Sequence, residues 1–218
     1  MWKELRALLY KELLLEWKQK YALNGLVLYV LSMVVVVSLA LVGKLNLATW
    51  NILYWIMILF IAINAVAKSF MAEKIGHLRY LYPLARPASI ILAKLMYNTL
   101  LLILVAGLSL LAFAFLNTVE LKHPLELGGI LLAGCTALSA NLTLVTAIAA
   151  QAENRTTLLA VLGFPLVVPT LLVMIRLSQV ALEGLDGSLQ WGRLSVVLAM
   201  AGVLTVLSVI LFPFIWRE

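Results

Sequence analysis

The sequence predicts an all-α polytopic membrane protein with six transmembrane helices, and three observations predict it. First, 64% of the 218 residues are hydrophobic and only 12% are charged, with a mean hydropathy of +1.08. A soluble globular chain is about 45–50% apolar and about 25% charged, and a core of this size cannot hide so much apolar surface. Second, stretches without Asp, Glu, Lys or Arg lie between Lys20 and Lys44, Lys44 and Lys68, Lys94 and Glu120, Glu126 and Glu153, Arg155 and Arg176, and Arg193 and Arg217. Each is long enough for one crossing of about 20 residues and too short for two. Third, these runs are continuous, whereas a transmembrane β-barrel alternates polar and apolar positions in short segments.

Residues 1–20 read as an amphipathic helix that precedes a transmembrane domain over 21–218. Trp2, Leu5, Leu9, Leu13 and Trp17 recur at helical spacing, with Glu4, Lys11 and Lys18 opposite. Glu12 and Glu16 intrude on the apolar face. A helix of this composition beside a span is expected to lie in the headgroup plane as an elbow. The first apolar run begins about twenty residues in and lacks a small-residue cleavage site, so it reads as an uncleaved helix rather than a signal peptide.

The spans follow in order at about 22–42, 49–67, 95–116, 127–151, 156–175 and 194–216. Trp50, Tyr54 and Trp55 open the second and suit an aromatic belt at the outer interface. The link Asn117–Glu126 carries His123 and Pro124. In the fourth span Thr136, Ser139, Thr143 and Thr146 share a stripe flanked by Gly134, Ala137, Ala140 and Ala147, which suits close helix packing or a substrate path. In the fifth, Pro165 and Pro169 each remove a backbone donor, so a kink or unwound stretch is expected there. Such backbone persists in a membrane only where protein or a cavity satisfies it, which places this span inside the bundle as the moving part. The loop Arg176–Arg193 has room for a short surface helix ending at Gly184.

Charge placement gives orientation. With six spans, one side holds Lys3, Arg6, Lys11, Lys18, Lys20, Lys68, Lys74, Arg79, Arg86, Lys94, Arg155 and Arg217, and the other only Lys44, Lys122, Arg176 and Arg193. By the positive-inside rule both termini are cytoplasmic. The net charge of +6 is thereby a matter of topology, and no nucleic-acid partner is expected.

Chemistry within the chain is sparse. Cys135 stands alone, which excludes an intramolecular disulfide and a cysteine metal cluster, and it reads as a small buried hydrophobe. His77 and His123 fall on opposite sides and read as solvated loop residues, with no metal site expected. Phosphate-loop, zincin and serine-hydrolase motifs are missing. No ionisable side chain other than Cys or Tyr lies in the predicted spans, which disfavours ion coupling and intramembrane proteolysis. The chain is therefore not expected to be an enzyme, and any energy must come from another polypeptide.

The segment that offers most to water is Lys68–Lys94, KSFMAEKIGHLRYLYPLARPASIILAK. Ala67–Leu81 can continue as helix with a tilt at Gly76, Pro83 and Pro87 break it, and Ala88–Lys94 restarts it. One reading is a connecting loop whose charges only set topology. The other is a short cytoplasmic coupling helix that docks on a partner through Glu73, Lys74, Gly76, His77 and Arg79.

This segment also carries a resemblance. Glu73 and Gly76, then Pro83-Leu84 and Ile91-Leu92-Ala93-Lys94, are similar to the loop of the CcmB family, the membrane subunit of the cytochrome c maturation ABC transporter. Phe164-Pro165-Leu166-Val167-Val168-Pro169-Thr170-Leu171-Leu172 resembles that family's P-L-x-x-P-L-L signature. Arg79 stands where familiar members often have an acid, and Thr170 interrupts the signature. The resemblance covers essentially the whole chain. It implies an ABC-2-like permease in a bacterial inner membrane, paired as a homodimer with a cytoplasmic ABC ATPase that binds ATP. A haem-handling membrane protein and a small single-span helper would complete the complex, with haem reached through the complex rather than held by this chain. ATP hydrolysis would drive haem delivery or release of haem-loaded chaperone outside the membrane. Two further readings stay open: an ABC-2-type exporter permease for a lipid, polysaccharide or drug, and a membrane assembly factor without a transport cycle.

Overall fold

The computed structural model describes residues 2–18, 20–40, 46–71, 86–117, 123–150, 155–184 and 191–215. Among them are seven helices and no strand. They are α1 (Trp2–Lys18), α2 (Lys20–Ala40), α3 (Leu47–Met71), α4 (Pro87–Asn117), α5 (Pro124–Ala149), α6 (Arg155–Glu183) and α7 (Trp191–Ile215).

Among the described residues, α3, α4, α5, α6 and α7 are long and apolar enough to cross a membrane, while α2 contributes a shorter apolar stretch, Asn24–Leu39. Val30 and Val34 of that stretch are fully buried against the bundle. The helix starts follow ordinary capping chemistry. Asn46 precedes α3 and its Oδ1 accepts from the Thr49 N–H at 2.7 Å, satisfying one of the orphan donors of a first turn. Pro124 opens α5, where its missing N–H costs nothing.

Helix α5 is the centre. It packs against α3, α4, α6 and α7, and 89% of its apolar stretch is buried, against 28% for those of α6 and α7. From Ala133 to Ala147 every residue except Thr136 is buried. The short side chains of Gly134, Ala137, Ala140 and Ala147 make this possible, because helices can approach closely over small residues.

Four sequence expectations are corrected here. The interior span is α5 and not the proline-bearing α6, whose Pro165 and Pro169 both lie on an exposed face. Helix α6 also runs without an unwound stretch through both prolines. Each proline removes one backbone bond, and the opposite face of α6, with Val167, Thr170, Leu171 and Met174 buried, holds the helix together. Nor does α6 stop at Arg176 before a separate surface helix. It continues to Glu183 because Leu177, Ser178, Ala181 and Leu182 extend its buried face. Gly184 ends it, with φ of 67° and its N–H bonded to Val180 O at 3.0 Å, as glycine allows at a helix C-terminus.

A further correction concerns the aromatic residues of α3. Trp50, Tyr54 and Trp55 are all buried, at 1%, 1% and 0% exposure, and form no outer belt. Trp50 stacks on Tyr54 at 5.6 Å and meets Phe113 of α4 edge-on at 5.4 Å. Tyr54 Oη donates to Ala106 O on α4 at 2.8 Å. The Trp55 indole sits over Gly134, where a Cβ would fall 2.5 Å from Trp55 Cη2 and 3.0 Å from Met174 Sδ. Trp55 is thus received by Gly134 of α5, whereas Trp50 and Tyr54 turn to Phe113 and Ala106 of α4.

A side chain at Gly134 has to displace a ring that is itself packed and tethered. Gly134→Ala is expected to cost about 1–3 kcal/mol through overpacking and to lower the melting temperature in detergent by several degrees. Gly107→Ala, where a Cβ meets nothing within 4 Å, serves as the control and should leave the melting temperature unchanged.

Candidate functional site

Two regions concentrate polar side chains inside the apolar bundle: the seams around α5, and the junction where α1 meets the ends of α3 and α4. Lipid offers no hydrogen bonds, so each buried polar group has to find its partner on a neighbouring helix.

The hydroxyl stripe of α5 is one such seam. Thr143 Oγ1 accepts from Asn98 Nδ2 of α4 at 3.0 Å, and Ser139 Oγ donates to Leu95 O of α4 at 3.2 Å. Asn141, one position off the stripe, donates to Thr170 Oγ1 of α6 at 3.1 Å. The structure therefore brings Ser139 and Thr143 together with α4. Thr136 is half-buried and turns back on its own helix, donating to the Leu132 and Ala133 carbonyls. Thr146 Oγ1, Asn98 Oδ1 and Asn141 Oδ1 are buried without a hydrogen-bond partner.

A second seam joins α3 to α6. Asn51 Nδ2 donates to Ile175 O at 2.7 Å. Ser178 Oγ accepts from Trp55 Nε1 at 2.8 Å and lies 2.7 Å from both Asn51 Oδ1 and Met174 O, either of which can take its proton. All three side chains are almost completely buried.

The third cluster lies at the edges of the Lys68–Lys94 segment. Glu73, Lys74, Gly76, His77 and Arg79 fall outside the described residues, but both flanks are described. The C-terminal end of α3 carries Lys68, Ser69 and Phe70, and α4 starts at Pro87. Lys94 does not face water: its side chain is 1% exposed. Its Nζ donates to Ser69 O at 3.1 Å, lies 3.7 Å from Glu12 Oε1 of α1, and sits 4.8 Å from the Phe70 ring centroid. Glu12 is also reached by Lys11 Nζ at 3.3 Å, and Ser89 Oγ donates to Glu4 Oε2 at 3.3 Å. Glu4, Leu5, Leu8 and Glu12 thus form the face of α1 that packs against α4, so Glu12, which interrupts the apolar pattern, and Glu4, expected on the opposite stripe, are its anchors.

Two apolar grooves border these regions. One of about 410 Å³ is lined by Trp2, Leu5, Arg6, Leu9 and Met96. Another of about 290 Å³ is lined by Ile103, Ala106, Gly107, Gly128, Leu131, Leu132 and Cys135. Neither reaches the hydroxyl stripe. His123 supplies the backbone carbonyl that accepts from Leu127 N–H at 3.1 Å. Among the described residues no group of three His, Cys, Asp or Glu gathers to hold a metal.

Sequence reasoning missed Asn51, Asn98, Asn141, Thr170, Ser178 and the Glu12–Lys94 pair. A signal was present for the amides, since an asparagine in an apolar span has to be answered across a helix contact. For Glu12 and Lys94 the helical pattern placed charge without showing that two helices meet there.

Ser178→Ala strands Trp55 Nε1 and Asn51 Oδ1 in the apolar interior. The expected cost is about 1–3 kcal/mol, the price of unsatisfied buried groups, and above the ~0.6 kcal/mol average for an interhelical hydrogen bond in a membrane. Ser195→Ala, whose exposed hydroxyl only returns to Gly192 O, should be neutral in the same thermal unfolding measurement.

Residues 3–217 match the family model described as CcmB protein. No curated protein matches the chain. A match of that extent covers α1, the whole Lys68–Lys94 segment and every apolar helix, so the chain belongs to the CcmB family, a membrane component of the cytochrome c maturation ABC transporter.

Proposed function

We propose that this chain is the permease subunit through which a separate ATPase drives haem delivery, or release of haem-loaded chaperone, outside the membrane. The observation that carries the reading is the family match over residues 3–217. Haem is cargo of the complex in this reading and ATP belongs to the partner subunit.

The geometry supports a rigid route from an ATPase to the bundle. Helix α4 has 31 residues, a length of about 46 Å at 1.5 Å per residue, against an apolar core of about 30 Å. We place the excess at its first turns, which lie beside the end of α3 and along α1. The Lys68–Lys94 segment is borne on these helix ends, and Glu73, Lys74, Gly76, His77 and Arg79 are its proposed contacts with the ATPase. Force applied there reaches α4 and passes to α5 through Asn98–Thr143 and Ser139–Leu95. In α6, Pro165 and Pro169 mark the proposed hinge, where two backbone bonds are missing on the exposed face. Thr136, Ser139, Thr143 and Thr146 serve α5 packing in this scheme.

With α2 counted as the sixth crossing, both termini and the Lys68–Lys94 segment lie on the cytoplasmic side of the bacterial inner membrane. The unpacked apolar faces of α6 and α7 meet lipid or a second copy in the homodimer. The haem-handling membrane protein and the single-span helper complete the assembly.

Purification from native membranes tests the reading. An ATPase and a haem-binding membrane protein are expected to co-elute, and Glu73→Lys with Arg79→Glu should lower holocytochrome c formation at least tenfold without lowering permease abundance. An ATPase eluting alone would favour an exporter of another cargo. No ATPase, with unchanged holocytochrome c in the double variant, would leave an assembly factor without a transport cycle.

A further inference from the structure

We propose that Glu12 and Lys94 are positioning residues that lock the amino-terminal helix to both ends of the Lys68–Lys94 segment, so that the three helix ends move as one body. The inference deepens the coupling reading and rests on it for its functional consequence. Its geometric content stands by itself.

One ammonium group joins three elements. Ser69 and Phe70 belong to the last turn of α3, Lys94 lies two turns into α4, and Glu12 sits in the second half of α1. Lys94 Nζ donates to Ser69 O at 3.1 Å. That carbonyl is one of the last four of α3, which have no partner within the helix, and a cation there also complements the negative end of the helix dipole. Glu12 Oε1, at 3.7 Å, supplies opposite charge, and the Phe70 ring at 4.8 Å supplies its negative face. The ammonium is thus held from several sides.

A second tie, Ser89 Oγ to Glu4 Oε2 at 3.3 Å, fixes direction. Moving from Glu4 to Glu12 along α1 accompanies moving from Ser89 to Lys94 along α4, so the two helices run side by side in the same sense. Leu5 and Leu8 fill the face between the ties. Rotation of α1 about its axis would break both ties together.

The choice of charge rather than apolar packing matters. Well-packed apolar residues commonly hold helices together as well as a buried ion pair does, or better, whereas a buried pair with one partner removed is strongly unfavourable. Such a pair specifies one register between elements, a role attested for buried polar groups elsewhere. Here the register fixed is that of the two flanks of the proposed docking segment relative to α1.

The test reads geometry and coupling separately, in the full-length protein. In a Cys135→Ser background, nitroxides at Lys3→Cys and Leu100→Cys, both exposed positions on α1 and α4, report the distance between the helices by double electron–electron resonance. A narrow distribution is expected with Glu12 and Lys94 intact, and one at least twice as broad with Lys94→Met or Glu12→Gln. A second measurement follows haem-chaperone release per ATP hydrolysed by the purified complex. Each variant should keep ATPase co-elution and hydrolysis while lowering release per ATP at least tenfold, and the Glu12→Gln, Lys94→Met double variant should be no worse than either single one. Distance distributions unchanged from the parent would overturn the lock. So would broadening accompanied by unchanged release per ATP, or loss of complex assembly in all three variants, which would make the pair a packing element only. A parent protein that elutes without any ATPase overturns the coupling reading instead, and the distance measurement still decides the lock.

Discussion

A helix stretch buried in an apolar bundle has to find partners for its polar side chains on its own turns or on neighbouring helices, and α5 from Ala133 to Ala147 is such a stretch. Its small residues allow α3, α4, α6 and α7 to close around it. Its polar residues then fix which neighbour stands where: Ser139 and Thr143 address α4, and Asn141 addresses α6. The remaining architecture follows from that placement. Trp55 can cross to Ser178 because Gly134 leaves room for the ring. The acceptors of Asn98, in the contact with α4, and of Asn141, in the contact with α6, stay unanswered.

The same constraint works differently at the end of the bundle that carries Lys68 and Arg86. There the polar groups are charged, and a charge that leaves water needs a partner of opposite sign or a helix terminus. Lys94 has both. The consequence is that α1, which by composition could have lain alone on a membrane surface, is tied to the transmembrane helices through Glu4 and Glu12. Its exposed Trp2, Tyr10, Leu13 and Leu14 form the side left for lipid or a partner.

Much of this was legible in the sequence, and the parts that were not share a cause. The all-helical class and five long apolar helices follow from hydropathy, since long charge-free runs have one solution in lipid; the first expected span appears only as the shorter apolar stretch Asn24–Leu39. The family was legible in Pro83-Leu84, in Ile91-Leu92-Ala93-Lys94 and in the run from Phe164 to Leu172, and the match over residues 3–217 bears it out. What hydropathy lacks is the direction in which each face points. In a membrane an apolar residue is equally content against lipid or protein, so Trp50, Tyr54 and Trp55 read as a belt although they are core, and Pro165 and Pro169 read as interior although they are exposed. Arg176 looked like a loop boundary because charge marks membrane edges on average, yet the buried face continues past it through Ser178 and Leu182. Lys94 looked solvated for the same reason.

The central claim is that α5 is enclosed from Ala133 to Ala147, with Thr136 alone half-buried. The most direct measurement is a nitroxide scan from Ala133 to Ala147 in the full-length protein in bilayers, with oxygen accessibility read at each position. The account predicts uniformly low accessibility, rising only near Thr136. Accessibility that oscillates with a period of about 3.6 residues along this stretch, as for a helix with one face in lipid, would contradict it.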